Sequence, residues 1–165
     1  MWQGRVVSVH IAAEASAKME TVAEVRAVPG RGLEGDRYWK GNGFYSARPG
    51  AGGREVTLIE AESVEALAGG LGRAPGDPPG VTLSAADTRR NIATSGVPLN
   101  HLVGREFQVG PVLMRGTRLC EPCKHLDDLT QLGVMNGLIH RGGLRARILT
   151  EGVIRPGDVV RPKVP

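Results

Sequence analysis

Short runs rich in valine, leucine and isoleucine, each ended by a glycine or proline turn, limit most strongly what this chain can fold into. Turn signals such as Pro29-Gly30, Gly110-Pro111 and Pro156-Gly157 separate the runs, and this spacing favours hairpins over long crossover helices. The runs cover residues 4–11, 21–28, 54–59, 90–94, 106–109, 112–117, 144–149 and 158–161. We therefore predict an all-β fold with a few short helices, closed or partly closed into a β-barrel.

Two segments carry helical signals. The first covers about residues 60–67, where acidic residues come early and Gly69-Gly70 ends the pattern. The second begins near Pro122, and a leucine then recurs at every third position, which predicts an apolar stripe that packs against the core. These leucines are Leu126, Leu129 and Leu132. The glycine- and proline-rich stretches 41–53 and 69–80 are predicted to be surface loops.

Length and composition exclude several classes of protein. A chain of 165 residues suits one domain, residues 1–165, and it carries neither a signal-peptide pattern nor an apolar membrane segment, so we expect a cytoplasmic protein with no membrane contact. The net charge of +4 comes from 17 arginines and only 4 lysines, a balance that suits bidentate binding of carboxylate or phosphate. Aromatic residues make up 4% of the chain, so we expect no nucleic-acid partner.

The cysteine segment 118–125, RLCEPCKH, has the strongest chemical signal. Three interpretations are open: half of a zinc site, a redox pair of thioredoxin type, or one reactive thiolate. A structural zinc site needs four ligands, and the chain lacks a second paired spacing. A redox pair expects a long helix inside a parallel α/β sheet, which the pattern does not predict. A disulfide between Cys120 and Cys123 would close almost no loop and stabilise little.

Cys123 is the better candidate for the thiolate. It is predicted in the first turn of the second helix, where the macrodipole and free N–H groups stabilise negative charge, and Arg118 and Lys124 are near in sequence. Such a thiolate suits sulfur transfer or a thiophilic metal. We expect His125 to contribute only indirectly, because residues two apart on a helix face different directions.

Two polar turns are candidates for an anion site. In Arg89-Arg90-Asn91, strand alternation predicts that Arg89 and Asn91 share one face, where they are candidate contacts for phosphate or an oxyanion. Residues 30–35 match G-x-G-x-x-G but lack the following helix, so a dinucleotide site is rejected. Beside them, Asp36 and Arg37 leave two interpretations open: a loop that binds an anion, or a tight turn with a local salt bridge.

Taken together, these segments resemble the MOSC domain family. The matching residues are 32–37 (GLEGDR), 89–92 (RRNI), 99–104 and 118–126, in the same order along nearly the whole chain. The family is named for the C-terminal domain of molybdenum cofactor sulfurase, and it includes the catalytic domain of the mitochondrial amidoxime-reducing component and many small bacterial proteins. The resemblance implies a MOSC-type β-barrel with a cleft for the molybdenum cofactor (molybdopterin), an anionic pterin that carries a phosphate.

The resemblance also implies roles for particular residues. By position, Cys123 looks like the residue that ligates molybdenum. The cofactor cleft is assigned to Arg89, Asn91, Asp36, Arg37 and Arg118. The implied function is a molybdenum-dependent oxidoreductase that reduces N-hydroxylated compounds and takes electrons from a donor protein. One alternative is a carrier of the cofactor, or of sulfur as a persulfide on Cys123 that Cys120 resolves. Another is a domain that binds an anionic ligand or a partner without catalysis.

Overall fold

The computed structural model describes residues 1–47, 54–70, 75–76 and 80–164. The strands in this part of the chain are β1 (Gly4–Ile11), β2 (Glu20–Val22), β3 (Val25–Val28), β4 (Gly32–Leu33), β5 (Val56–Glu60), β6 (Ile92–Ser95), β7 (Glu106–Val109), β8 (Val112–Leu119), β9 (Leu144–Ile148), β10 (Gly152–Ile154) and β11 (Val159–Pro162). The helices are α1 (Ala61–Ala68), α2 (Lys124–Leu129) and α3 (Val134–Gly137), and there are 3₁₀ turns at Ala86–Thr88 and Leu99–Leu102. The predicted surface loops at 41–53 and 69–80 lie partly outside the described residues.

Seven of the strands close into a barrel. In the order β11, β7, β8, β9, β5, β6 and β1, each strand is hydrogen-bonded to the next, and β11 pairs with β1 to complete the ring. β2 extends the sheet beside β1, and β10, β3 and β4 form a separate three-stranded sheet. The prediction of an all-β barrel with a few short helices is confirmed.

One strand pair departs from the hairpin pattern. β5 and β6 run parallel, and parallel neighbours need a crossover connection instead of a tight turn. The chain makes this crossover through α1 and the 3₁₀ turn that precedes β6. The turn signals do not reveal the crossover, because they fix where the chain bends and not which strands become neighbours.

The apolar core has two parts. The larger part fills the barrel with side chains that point inward at every second position along each strand. Its largest fully buried side chains are Leu33, Leu58, Ile92, Leu99, Phe107, Met114, Leu144 and Ile154. The smaller lies between the barrel wall and the helices, and it contains Ile59, Val64, Leu67, Val81, Ala93, Leu126, Val134 and Leu138. Because the second cluster ties α2 to the barrel, the segment before α2 has a fixed position.

The second helix is shorter than predicted, and most of its leucine stripe does not pack. Leu126 is buried, but Leu129 is 39% and Leu132 is 76% exposed. α2 ends at Leu129 because Thr130 leaves helical geometry, with φ −124° and ψ −97°. The predicted packing therefore holds for Leu126, and the prediction is wrong for Leu129 and Leu132.

Other boundaries differ in detail. The predicted strand 21–28 is divided into β2 and β3, and the strand predicted from residue 90 begins only at Ile92. β4 and β10 have two and three residues, too few to give a periodic signal. Among the described residues, no helix has the length and apolar character that crossing a bilayer requires.

Candidate functional site

One cavity on the outside of the barrel collects residues from five separate parts of the chain. Its wall is built from the loop 37–45, from β5, from the turn 89–90, from the segment 120–126 and from β9. The free volume inside is about 60 Å³, which is room for a few water molecules. A wider hollow of about 300 Å³ adjoins it, and Arg89 belongs to the wall of both.

Cys123 lines this cavity, but its environment differs from the predicted one. It is the N-cap of α2, with extended backbone angles of φ −135° and ψ 167°, and its side chain makes no capping hydrogen bond. The prediction of a place in the first helical turn is therefore wrong, and a helix of six residues has only a small macrodipole. Instead, the hydroxyl of Tyr45 donates a hydrogen bond to Cys123 Sγ at 3.2 Å.

Two aromatic residues of the loop after β4 line the cavity beside Cys123. The ring of Phe44 stacks on His125, with centroids 4.1 Å apart and planes at 12°, and it meets Tyr45 edge-on at 4.9 Å. His125 Nε2 is also 3.2 Å from Ser16 Oγ. His125 and Cys123 face the same cavity, because Cys123 lies outside the helix and the helical spacing rule does not apply to it.

Cys120 has a different role from Cys123. It is 3% exposed, its N–H donates to Gly143 O at 2.7 Å, and its carbonyl accepts from Arg90 Nη2 at 2.9 Å. A Cβ on Gly142 would lie 2.3 Å from that carbonyl oxygen, so only glycine lets the two segments approach so closely. Among the described residues, no group of three His, Cys, Asp or Glu side chains could hold a metal, so the half-zinc-site interpretation finds no support there.

The arginine turn is not part of a strand. Arg89 ends the 3₁₀ turn in the left-handed region, with φ 63°, a conformation uncommon for residues other than glycine. The prediction that Arg89 and Asn91 share a face is therefore wrong, since it assumed strand alternation. Arg89 and Arg90 both line the cavity, whereas Asn91 is 1% exposed and lies behind its wall.

Arg90 is held almost entirely by backbone carbonyls. Its guanidinium donates to Gly142 O at 2.7 Å, to Thr88 O at 3.0 Å and to Cys120 O at 2.9 Å. The side chain is 8% exposed, so these three bonds replace the water it would otherwise bind. Arg90 thus fastens the cysteine segment to the arginine turn.

Asp36 and Arg37 form the predicted salt bridge, at 3.1 Å, with both side chains buried. The Asp36 carboxylate also accepts from Ala12 N at 3.0 Å, so it serves to position Arg37. Arg37 in turn donates to Arg89 O at 3.2 Å and lines the cavity. The local salt bridge is present, and the same arginine faces the place where an anion would bind.

Electrostatics favour an anion in this cavity. Burial, followed by the positive charge of Arg37, lowers the pKa of Arg89. Within the described part of the chain, Asp36 is the one carboxylate within salt-bridge distance of Arg37, Arg89 or Arg90. A negative group placed between these guanidinium ions would relieve their mutual repulsion and accept charge-assisted hydrogen bonds.

Asn91 and His10 support the cavity from behind. Asn91 Oδ1 accepts from the N–H and the hydroxyl of Thr57, both at 3.1 Å, and Asn91 Nδ2 donates to His10 O at 3.1 Å. The His10 ring, through Nδ1, bonds Arg90 O at 2.9 Å. Burial lowers the pKa of His10, although this hydrogen bond opposes the shift. Sequence reasoning missed His10, because only the fold brings it to the turn 80 residues away.

Arg118 does not belong to the described cavity wall. A register shift in β8 between Gly116 and Arg118 places Arg118 opposite Arg145 of β9, where it is exposed on the outer face of the barrel. Arg145, which sequence reasoning did not single out, is the residue of this pair that lines the cavity. Its alternation with buried Leu144 and Ala146 was the available signal.

A barrel with a half-buried cysteine beside clustered arginines defines the class of protein, and comparison with known proteins agrees. The chain belongs to the MOSC domain family, whose model matches residues 46–161. Membership supports a molybdenum-cofactor-binding domain. Among proteins with curated descriptions, no sequence match reaches significance.

Solved structures show the same fold. The YuaD protein from Bacillus subtilis is 17% identical, with 97% of each chain covered and a TM-score of 0.73. YiiM from Geobacillus stearothermophilus is 17% identical over 98% of this chain and 75% of that one, with a TM-score of 0.70. YiiM from Escherichia coli is 16% identical over 98% and 70%, with a TM-score of 0.65.

The cavity fits the molybdenum cofactor in chemistry but is narrow. A metal bound through one protein thiolate must bring its other ligands with it, as a cofactor does, and the arginines match an anionic pterin. Ligand sites of this kind have volumes of roughly 300 Å³ or more, so the cofactor would need either the adjoining hollow or a displacement of Phe44 and Tyr45. These two side chains line the cavity with Cys123, and the Tyr45 hydroxyl contacts its sulfur.

Proposed function

We propose that this protein binds the molybdenum cofactor with the Cys123 thiolate on the metal and with Arg37 and Arg89 on the pterin phosphate. The observation that carries the proposal is that the Cys123 sulfur and the guanidinium groups of Arg37 and Arg89 face one cavity. Asp36 holds Arg37 in place, and Asn91 holds the wall at Thr57. We also propose that residues 1–165 form one domain, because β1 and β11, from the two ends of the chain, pair in the same barrel.

We further propose that the bound cofactor serves a reductase for N-hydroxylated compounds. Reduction of an N–OH group to N–H consumes two electrons and two protons and releases water, so an electron-donor protein must supply the electrons. Molybdenum would supply the electron and oxygen chemistry, while the protein positions it and sets the charge around it. The groups of the cavity that can hold a proton near Cys123 are the Tyr45 hydroxyl and the His125 ring.

Metal and pterin content test the cofactor proposal. The chain is produced in a molybdenum-replete host, and molybdenum and pterin are measured per chain for the wild type, Cys123→Ser and Cys120→Ser. We expect Cys123→Ser to lose most of the molybdenum and Cys120→Ser to retain it, provided that both variants melt near the wild type. Equal, stoichiometric molybdenum in the wild type and Cys123→Ser would remove Cys123 as a ligand.

The reductase proposal needs its own assay. Molybdenum-loaded protein is mixed with an amidoxime and a chemical electron donor, and formation of the amidine is followed by chromatography. The loaded wild type should convert the amidoxime, and loaded Cys120→Ser should do so at a comparable rate. Loaded protein that gives no product with amidoximes or hydroxylamines would reject the reductase while leaving cofactor binding intact.

One observation supports the carrier alternative: Cys120 and Cys123 line the same cavity. In a carrier, the Cys123 thiolate would attack the outer sulfur of the cysteine persulfide on a cysteine desulfurase, a sulfur-donor protein. The Cys123 persulfide would form, and the desulfurase cysteine would leave as thiolate. Attack by an acceptor nucleophile on the outer sulfur would then release Cys123 as thiolate. Mass spectrometry after exposure to the desulfurase should find one added sulfur on Cys123 that an external thiol removes. Absence of labile sulfur would reject the carrier.

A further inference from the structure

The outer face of the antiparallel strand pair β8 and β9 carries four arginines in two cross-strand pairs. Arg115 lies opposite Arg147, and Arg118 lies opposite Arg145. We call these four residues the arginine ladder. Like charges directly opposite each other on a sheet destabilise the pair, so the isolated chain gains nothing from this arrangement.

A bulge creates the second pair. The register shift in β8 between Gly116 and Arg118 leaves Thr117 as the extra residue, and such bulges change the face on which the following side chains lie. Simple alternation would place Arg115 and Arg118 on opposite faces. With the bulge, all four arginines lie on the outer face, whereas Leu144 and Ala146 between them point into the barrel.

The neighbouring carboxylates leave most of this charge without a partner. Glu106 lies opposite Arg115 in the register of β7 and β8, but its carboxylate binds Lys163 Nζ at 2.7 Å. That hydrogen bond lowers the pKa of Glu106 the most, and the charge of Arg115 adds a smaller contribution without a salt bridge. Glu55 accepts a hydrogen bond from Ile148 N at 2.8 Å. Within the described residues, no side chain forms a salt bridge of 4.0 Å or less with any of the four ladder arginines. The ladder therefore presents concentrated positive charge to whatever approaches.

The chemistry of this face selects the class of partner. Phe107 is the one aromatic residue in β7, β8 and β9, and it is fully buried, so these strands offer no aromatic platform for the bases of a single strand. A second copy related by twofold symmetry would bring a second ladder against the first. A different protein with an acidic face matches the charge without either difficulty.

We propose that the arginine ladder is the docking surface for an acidic protein partner, which then lies beside the mouth of the cavity. Arg145 belongs to both features: it lines the cavity, and its guanidinium is 5.9 Å from the ring centroid of Tyr45, which binds Cys123. The partner therefore contacts the residue that adjoins the Tyr45 and Cys123 pair. This inference is independent of what the cavity binds.

A charge-matched comparison tests the surface. A fluorescent oligoglutamate peptide serves as the acidic probe, and its affinity at low ionic strength is measured by anisotropy for the wild type and two triple variants. The ladder variant carries Arg115→Gln, Arg118→Gln and Arg147→Gln, and it leaves Arg145 in place. The control carries three charge losses at exposed sites outside β7, β8 and β9. The control substitutions are Arg5→Gln, Lys40→Gln and Arg141→Gln.

We expect the ladder variant to bind the probe roughly tenfold more weakly, since three exposed ion pairs of ordinary strength combine to about that factor. The control should change by less than about twofold. A thermal melt of the ladder variant should show that this variant folds, because removing opposed like charges does not destabilise a sheet. Equal weakening in both variants would overturn the proposal, since net charge alone would then explain binding.

Two further results would overturn the proposal by showing that something other than an acidic protein binds the arginine ladder. Duplex DNA of equal charge that binds more tightly than oligoglutamate, and loses that affinity only in the ladder variant, would identify a nucleic-acid surface. A dimer seen by light scattering in the wild type and control but absent from the ladder variant would identify a second copy. A monomeric wild type that prefers oligoglutamate through the ladder supports the acidic partner.

Discussion

The arginines of the cavity, here called the inner arginines, and those of the arginine ladder, the outer arginines, have the same chemistry but opposite surroundings. Inside the cavity, Arg90 donates to three backbone carbonyls and Arg37 binds Asp36. On the outer face, Arg115 and Arg147 oppose each other across β8 and β9. The inner arginines hold the site together and present charge to a small anion, whereas the outer ones present charge without contributing to the fold.

The largest difference should appear in stability. Arg90→Met removes the donor for three buried carbonyls, and we expect the free energy of unfolding to fall by roughly 3 kcal/mol or more. Arg147→Met, on the exposed ladder, should change it by less than about 0.5 kcal/mol. Urea unfolding of the two variants measures both values. Similar losses for both would show that the inner and outer arginines do not differ as described.

A second difference concerns the cofactor. Arg89→Asn removes a guanidinium from the cavity, and bound pterin and molybdenum should fall about tenfold or more. Asparagine tolerates the left-handed backbone at this position, so the free energy of unfolding should fall only by the roughly 1–2 kcal/mol of the lost hydrogen bond from Arg89 Nη1 to Ala17 O at 2.6 Å. Arg118→Asn, on the ladder, is the control and should retain the cofactor. Loss in Arg118→Asn with retention in Arg89→Asn would reverse the assignment.

A third, smaller effect belongs to the ladder alone. Arg147→Glu replaces a like-charge pair with an opposite-charge pair across from Arg115, and it should raise the free energy of unfolding by about 0.5 kcal/mol. Arg5→Glu makes the same change of charge on β1, where the opposite residues are Val159 and Ser95, and it should give no such gain. Urea is the suitable denaturant because it does not screen charge. A gain in both variants would trace the effect to net charge.

The smallest effect is the pH dependence of stability that His10, behind the cavity, contributes. Burial lowers the pKa of His10 below the ordinary histidine value of about 6.5, so the unfolded chain binds the proton more readily than the folded one. Stability from this group is present above about pH 6.5 and is lost as the pH falls toward the folded pKa. Thermal melts of the wild type and His10→Asn between pH 7 and 5 should show a shallower decline in the variant. Parallel curves would assign the decline to other groups.

Sequence patterns predicted the barrel because alternation and turn signals are local properties. Strands β1, β7 and β9 are close to their predicted bounds, and the inward faces follow from their apolar positions. The GLEGDR, RRNI and RLCEPCKH segments also indicated the family, since their order along the chain is a sequence property. Cys123, Arg89 and Arg37 share one cavity, although their roles toward a cofactor remain proposals.

The pairing of distant segments could not be predicted. Tyr45 reaches Cys123 across 78 positions, and His10 reaches Arg90 across 80. Neither contact has a local signal, because both depend on how the barrel closes. The prediction that Asn91 shares a face with Arg89 failed for a related reason. It assumed an extended strand through both residues, whereas Arg89 has left-handed backbone geometry and no strand alternation connects the two.

The sequence by itself determined the all-β class, the positions of the turns and the segment that contains both cysteines, since each rests on residues adjacent in the chain. Tertiary structure alone decided which arginines serve the cavity and which face outward. The physical reason is that backbone geometry assigns the faces. The left-handed turn at Arg89 directs two arginines to the cavity that Cys123 also lines, and the bulge at Thr117 turns Arg118 outward.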